Sequence, residues 1–354
     1  MNAQINQRSE QLSLLAETTH VSAWKPKRNG FNGPTWSASR DQQLHTCERK
    51  YYFQYLAGAR VNSTDLMQKR LGILKKLKSI RMWEGDCLHW AISRYLGAIR
   101  DHRPVSVEQI LAELQRKMES EWLFSEQKRF RTQPTLIEKG GLGLVEHEYD
   151  CVPEDVTAGV AYQGAATAFK KFVGWAEHEA GVCNKIRLAD NLWIEPPVFG
   201  VEAPGFTLDG VQVIAKVDLA IEKSRSFFEI YDWKTGNAPV QNGSYISQNE
   251  LQVCVYQLWP HLSMHLPLNL VSSHLVYLGG ETPEIRTHRL DEQSAPLVLQ
   301  MVRNSVALAG RWEKNFECGL LRLEDLDYAG WSGFCRDCAF KGVCRESLQY
   351  ENVA

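Results

Sequence analysis

The sequence predicts an α/β protein, a mixed central sheet flanked by helices, with a helical insertion ahead of the sheet. Three observations carry this. Val213 to Ile221 and Phe227 to Lys234 are two β-branched and aromatic runs with a period of two, spaced as a hairpin. Ahead of them, Trp83 to Ile99, Val107 to Trp122 and Val160 to Glu179 carry apolar residues at helical spacing. Behind them, a helical stretch from Ser244 to Trp259 separates the hairpin from further strands at His274 to Leu278 and Ile285 to Arg289, and Ala295 to Lys314 closes the set as a helix. The 354 residues, 44% hydrophobic and 23% charged, suit one elaborated domain or two.

Each element has a local reason. In the first strand Val213, Ala215, Val217, Leu219 and Ile221 alternate with polar positions, so Asp218 faces away from the apolar set. In the second, Asp232 and Lys234 share a face with Phe228 and Ile230. A turn centred on Arg225 sets Asp218 opposite Asp232, where directly paired residues have Cβ atoms about 5 Å apart. Two carboxylates at that spacing can share one hard cation, Mg²⁺ or Mn²⁺, through oxygen ligands, leaving the rest of its shell to water and phosphate. Lys234 points the same way and can orient the attacking water of a phosphodiester hydrolysis. A hairpin with surface charges and one salt bridge has the same local pattern, so the surrounding chain has to decide.

Residues 1–30 read as a polar tail and linker, broken at Lys25-Pro-Lys-Arg-Asn-Gly30. Ser39-Arg-Asp-Gln42 has the form of a capping box for a helix that carries Leu44, Cys47, Tyr51, Tyr52 and Tyr55. On the Trp83 to Ile99 helix, Leu88, Ile92, Tyr95 or Leu96 and Ile99 face the core, and Gly85 lies one turn before His89, leaving room beside the imidazole. Residues 101–190 read as a helical insertion, where Trp122, Phe124, Lys128, Arg129, Phe130 and Arg131 have the chemistry to stack on bases and bind phosphates, although ordinary core and surface is the better reading of any single one. The strand-rich part begins after Glu195-Pro-Pro197, and Glu202 is a further acidic candidate near the metal. Gln252 and Tyr256 are four apart on one helix face. Near the end, Cys335, Cys338 and Cys344 form a C-x2-C-x5-C cluster, three thiolates that need a fourth ligand and suit a [4Fe-4S] cluster or a structural Zn²⁺.

Composition excludes some classes. A formal net charge of −2 confines any nucleic-acid surface to local patches, such as Lys75-Lys76-Leu-Lys78 with Arg81. There is no GxxxxGK[ST], so a helicase motor has to be another subunit. Nine cysteines, no membrane-length apolar run and a polar start predict a cytoplasmic chain with reduced thiols and no membrane partner.

Asp232-Trp-Lys234-Thr-Gly236, preceded by Lys216-Val-Asp218, resembles the core motif of PD-(D/E)XK nucleases of the RecB type. Gly85-Asp-Cys-Leu-His89 matches the GxxxH element of that group and Gln252-Val-Cys-Val-Tyr256 its QxxxY element, while Ala215 stands where many relatives have glycine. Cys47-Glu-Arg-Lys-Tyr-Tyr-Phe-Gln-Tyr resembles the N-terminal cysteine segment of the iron–sulfur members, as in AddB-type nuclease domains and CRISPR-adaptation nucleases. The resemblance implies a restriction-endonuclease-like core whose metal ligands are His89, Asp218, Asp232 and the Trp233 carbonyl. Lys234, Gln252 and Tyr256 are then catalytic. Cys47, Cys335, Cys338 and Cys344 hold a [4Fe-4S] cluster in preference to Zn²⁺, clasping the N- and C-terminal segments. It implies a metal-dependent deoxyribonuclease, an exonuclease, that works in repair, recombination or defence with a helicase or defence subunit, and the basic and aromatic residues from Trp122 to Arg131, on an insertion that could thread a strand to the site, favour single-stranded DNA with a free end. A non-catalytic DNA-binding subunit and an RNase are the rival readings. The expected segments are a tail (1–30), an N-terminal helical part with Cys47 and GxxxH (31–100), the insertion (101–190), the nuclease core (191–315) and the iron–sulfur segment (316–354).

Overall fold

A computed structural model describes residues 21–22, 35–57, 61–104, 106–139, 141–179, 181–195, 204–224, 226–240, 247–329 and 333–345. The linker at Lys25 to Gly30, the turn residue Arg225 and Glu202 lie outside them. The chain forms two compact units. One draws on residues 1–41, 99–103 and 174–310, the other on 42–98, 104–173 and 311–354.

Among the described residues, the first unit carries the strands: β1 (Val21–Ser22), β2 (Thr35–Trp36), β3 (Asn191–Ile194), β4 (Gly205–Leu208), β5 (Val211–Ile214), β6 (Leu219–Lys223), β7 (Phe227–Lys234), β8 (Val271–Tyr277) and β9 (Glu284–His288). Its main sheet has the order β3-β6-β7-β8-β9, with β7 and β8 parallel and every other pair antiparallel. Parallel neighbours need a crossover, supplied by the helix Gln248–Met264. Ser247 opens that helix with a reciprocal capping box, its hydroxyl accepting from the Glu250 N–H while the Glu250 carboxylate accepts from the Ser247 N–H. The helix packs an apolar face, including Leu251, Val255, Leu258 and Trp259, into one core with Phe228, Ile230 and Leu275 of the sheet. Trp259 meets the Phe228 ring edge-on at 5.5 Å.

The strand expected from Val213 to Ile221 is broken. Val211–Ile214 belongs to a second sheet of order β1-β4-β5-β2, and only Leu219–Lys223 joins the main sheet. The Val217 N–H turns back onto the Ala215 carbonyl at 3.1 Å, which ends one strand before the next begins. Leu219, Ala220 and Ile221 are all fully buried, so the period of two marks no solvent-facing side here. From Lys223↔Phe227 inward, the β6–β7 hairpin has the expected register.

The second unit is helical. Tyr95 of the Ile80–Arg100 helix sets its ring edge-on to Phe169 and Phe172, and Trp83 packs on Trp122. Segments far apart in sequence meet there: Phe53 stacks on Phe340 at 5.3 Å, and the Tyr149 hydroxyl donates to the Ala339 carbonyl at 2.6 Å. The N-terminal helix starts at Ala38, with Ser37 rather than Ser39 accepting from the Arg40 N–H, and it is interrupted at Cys47, whose backbone is extended between helices Ala38–Thr46 and Glu48–Tyr51.

Candidate functional site

Three acidic side chains line up across the main sheet. One step beyond the last ladder pair, Leu219↔Tyr231, Asp218 comes opposite Asp232, as the hairpin register requires. The Asp218 carboxylate accepts the Trp233 N–H at 2.7 Å, fixing it across the ladder. On the other side of Asp218, one step beyond Ile194↔Leu219, stands Glu195, whose N–H donates to the Asp218 carbonyl at 3.1 Å. A Glu195 carboxylate oxygen lies within 4.8 Å of one from Asp218. Directly paired residues share a face, so Glu195, Asp218 and Asp232 form one transverse row. Asp218 and Asp232 are buried, at 6% and 3% exposure, while Glu195 is half-buried and lies 3.6 Å from the Lys216 ammonium. Carboxylates so placed repel each other unless a cation joins them.

Glu195 was missed in the sequence because the Pro-Pro step after it reads as a strand boundary. The usable signal was the run Leu192-Trp-Ile-Glu195 ahead of those prolines, which continues a strand up to its acidic end.

The row continues into a polar chain. The Lys234 ammonium lies 2.6 Å from the Asp232 carboxylate and donates to Gln252 Oε1 at 3.0 Å, and Gln252 Nε2 donates to the Tyr256 hydroxyl at 2.7 Å. The helix spacing of four brings Gln252 and Tyr256 together, and the helix packing aims both at the charged end of β7. Tyr256 is 2% exposed. Burial first, then the Asp232 carboxylate, pushes its hydroxyl well above the ordinary tyrosine value, with Asp218 and Glu195 acting in the same sense. Tyr256 is therefore a neutral phenol that keeps its proton for donation. Asp218, Asp232, the Trp233 peptide, Lys234, Gln252 and Tyr256 all belong to the strand-bearing unit, whereas Gly85 and half-buried His89 are carried one turn apart by the Ile80–Arg100 helix of the other.

The residues expected to stack on bases do otherwise. Trp122 is 8% exposed and Phe130 fully buried. Trp122 continues the buried stripe Ile110, Leu114, Met118 of the Val107–Glu126 helix, a spacing of four that makes it core. Lys128 and Arg131 are ion-paired with Asp150 and Glu148, and Arg129 lies over the Phe124 ring. In the Lys75 to Arg81 patch, Lys78 pairs with Asp86.

A second site is the thiol group of the helical unit. Cys335 lies in the short helix Gly333–Arg336, and the Cys338 N–H donates to its carbonyl at 3.3 Å; the Cys344 N–H donates to the Phe340 carbonyl at 2.9 Å. Burial pushes the Cys338 thiol up, with the charges of Cys47 and Cys335 adding to it, and burial pushes Cys344 up, with Cys47 and Cys338 adding. Cys47, Cys335, Cys338 and Cys344 thus share one electrostatic neighbourhood despite their separation in sequence. The Phe340 N–H bonds the Cys338 sulfur and the Arg49 side chain bonds that of Cys344, the hydrogen bonding that metal-bound thiolates use. A soft thiolate-only donor set of this kind fits a thiophilic centre. Of the other thiols, Cys87, Cys183 and Cys254 are buried, and Cys151 and Cys318 are exposed.

A mixed sheet with a crossover helix, an acidic pair on adjacent strands and a lysine two residues after the second acid define a nuclease class. The description of the PD-(D/E)XK nuclease superfamily matches residues 35–345, and the chain belongs to that superfamily. It is similar to a subunit of the ATP-dependent helicase/deoxyribonuclease of Carboxydothermus hydrogenoformans, with 22% identity over 330 residues. Those residues cover 92% of this chain and 27% of the relative, so the chain spans about a quarter of that protein's length. Among the described residues, no helix is long and apolar enough to cross a membrane.

Proposed function

We propose that the protein is a Mg²⁺- or Mn²⁺-dependent deoxyribonuclease. The observation that supports this most is the buried pair Asp218 and Asp232, joined through Lys234 to Gln252 and Tyr256. Asp218 and Asp232 hold the cation, with His89 and the Trp233 carbonyl as the further ligands the superfamily likeness implies and Glu195 as an added carboxylate. A hard divalent cation in such a site activates water and offsets charge on the phosphoryl group. Lys234, positioned by Gln252, orients the attacking water and stabilises negative charge on the phosphorane oxygens. Tyr256, a neutral donor, supplies a hydrogen bond to a phosphate oxygen or to that water.

A [4Fe-4S] cluster on Cys47, Cys335, Cys338 and Cys344 is the accompanying proposal, structural in the first place. In the cell the protein acts in the cytoplasm on DNA in repair, recombination or defence. The relative's name, which makes it part of a helicase/deoxyribonuclease, supports a helicase as partner. Linear single strands are the proposed substrate, although the buried Trp122 and Phe130, which were to stack on unpaired bases, lend that preference no support.

The deciding experiment compares end-labelled linear single-stranded DNA, its circular form, blunt duplex and RNA of one sequence, each with Mn²⁺ and with chelator. Metal-dependent loss of the linear strand, lowered by orders of magnitude in Asp218→Ala, Asp232→Ala, Lys234→Ala and His89→Ala, is expected. Full activity in Asp232→Ala overturns the mechanism, equal rates on circle and line overturn end dependence, and faster cleavage of RNA overturns the DNA assignment.

A further inference from the structure

Arg49 is 3% exposed. A guanidinium is charged at every accessible pH, and burying one without compensating anions or acceptors is costly. Its stem leaves the helix that opens directly after Cys47. Nε donates to the Leu326 carbonyl at 2.9 Å, the Arg49 N–H donates to the Asp327 carbonyl at 3.2 Å, and the guanidinium stands 5.4 Å from the Tyr328 ring centroid. The preceding Glu48 carboxylate accepts the Asp327 N–H at 2.8 Å, so the 326–328 loop is held from two adjacent residues. The same side chain hydrogen-bonds the Cys344 sulfur. One buried cation thus ties together the segment that carries Cys47, the 326–328 loop and the last thiol of the C-terminal group.

Four thiolates around an iron–sulfur core outnumber its positive charges, and one-electron reduction adds a further negative charge. A buried cation that donates to one of the sulfurs favours the more negative, reduced form. We infer that Arg49 is the charge-compensating residue of the thiol centre, holding the cluster's reduction potential up while joining its N-terminal and C-terminal ligands. This rests on the iron–sulfur reading of the four cysteines. Arg49 positions and tunes; it is not a ligand.

The test is an anaerobic redox titration of the holoprotein, followed by the electron paramagnetic resonance of the reduced cluster, for wild type, Arg49→Gln and Arg49→Lys. The expected result is a more negative midpoint in Arg49→Gln at unchanged iron content, with Arg49→Lys, which keeps the charge and loses the planar fork, closer to wild type. A purely structural role changes iron content and leaves the midpoint where it is. An unchanged midpoint in iron-replete Arg49→Gln overturns the inference. If that variant loses its iron, wild type grown on ¹⁵N-arginine decides: pulsed resonance is expected to show an arginine nitrogen coupled to the reduced cluster and lost in Arg49→Lys, and no such coupling overturns the inference. Colourless wild-type protein holding zinc overturns the cluster reading, and with it the role given to Arg49. Brown wild type with an unmoved midpoint overturns the role alone.

Discussion

Glu195→Gln separates a carboxylate that serves a metal from one that merely happens to lie nearby. Its oxygen lies within 4.8 Å of an Asp218 oxygen. Two unit charges at that distance repel by about 3 kcal/mol at an effective dielectric of about 20. The Glu195 side chain is 33% exposed and has the Lys216 ammonium 3.6 Å away, so solvent and that cation cut the figure to about 1 kcal/mol. Removing the charge should therefore stabilise the metal-free protein, raising the melting temperature of the strand-bearing unit by about 2–4 °C for a body of its size. With Mn²⁺ added, the order should reverse. Wild type gains stability in proportion to the logarithm of metal concentration over its dissociation constant, and the variant gains less. Differential scanning calorimetry in chelator and across a Mn²⁺ series measures both effects, with cleavage rates alongside. A variant less stable than wild type in chelator, or with an undiminished Mn²⁺ response, refutes the placement of Glu195 in the metal site.

Three further outcomes are expected. Tyr256→Phe leaves the Gln252 amide without its acceptor, costing about 1 kcal/mol and slowing cleavage about fivefold, less than any loss at Asp232; single-turnover rates check this, and a loss as large as that of Asp232→Ala would mean that Tyr256 is misassigned. Cys47→Ala should yield colourless protein with low iron and low soluble expression, whereas normal iron content would show that another thiol completes the set. His274, stacked on Tyr231 and 4.0 Å from Glu229, is lowered to about 4, chiefly by burial. Below the unfolded value near 6.5 the unfolded chain takes up the proton first, so stability is full above that pH and falls, by at most about 1.4 kcal/mol per unit, down to about 4. Denaturant titrations between pH 7 and 4 should show a shallower decline in His274→Gln, and parallel declines would exclude His274 as a source.

The charged end of the hairpin was legible because a turn centred on Arg225 predicts Asp218 opposite Asp232, and the β6–β7 register, from Lys223↔Phe227 to Leu219↔Tyr231, carries them there. The Gln252 and Tyr256 pairing was legible from helix spacing alone. Glu195 was not, since its neighbour in space is set by a β3–β6 pairing that no local pattern reports. The break between Ile214 and Leu219 was hidden for a related reason. Valine and alanine continue a period of two through Ala215 and Val217, although their backbone turns there. Trp122 was legible as core, because Ile110, Leu114, Met118 and Trp122 recur at spacing four on one helix face. The interruption at Cys47 follows from contacts with residues nearly 300 positions on, which local propensity does not contain.

Those long-range contacts also impose an order on synthesis. The main sheet lies wholly within one continuous stretch, from Asn191 to His288, and can close as soon as that stretch leaves the ribosome. The helical unit cannot, because Arg49, Phe53 and Tyr149 find their partners at Leu326, Phe340 and Ala339, which are made after the sheet. The earlier-made part of the helical unit should therefore wait unfolded while the later-made sheet matures, with its thiols the last to be brought together. Chains arrested once His288 has cleared the ribosome but while Leu326 has not should resist protease across the sheet and be cut within residues 42–98. Equal protection of both regions in such chains would show that the helices assemble without the C-terminal segment, and that metal insertion does not have to await the finished chain.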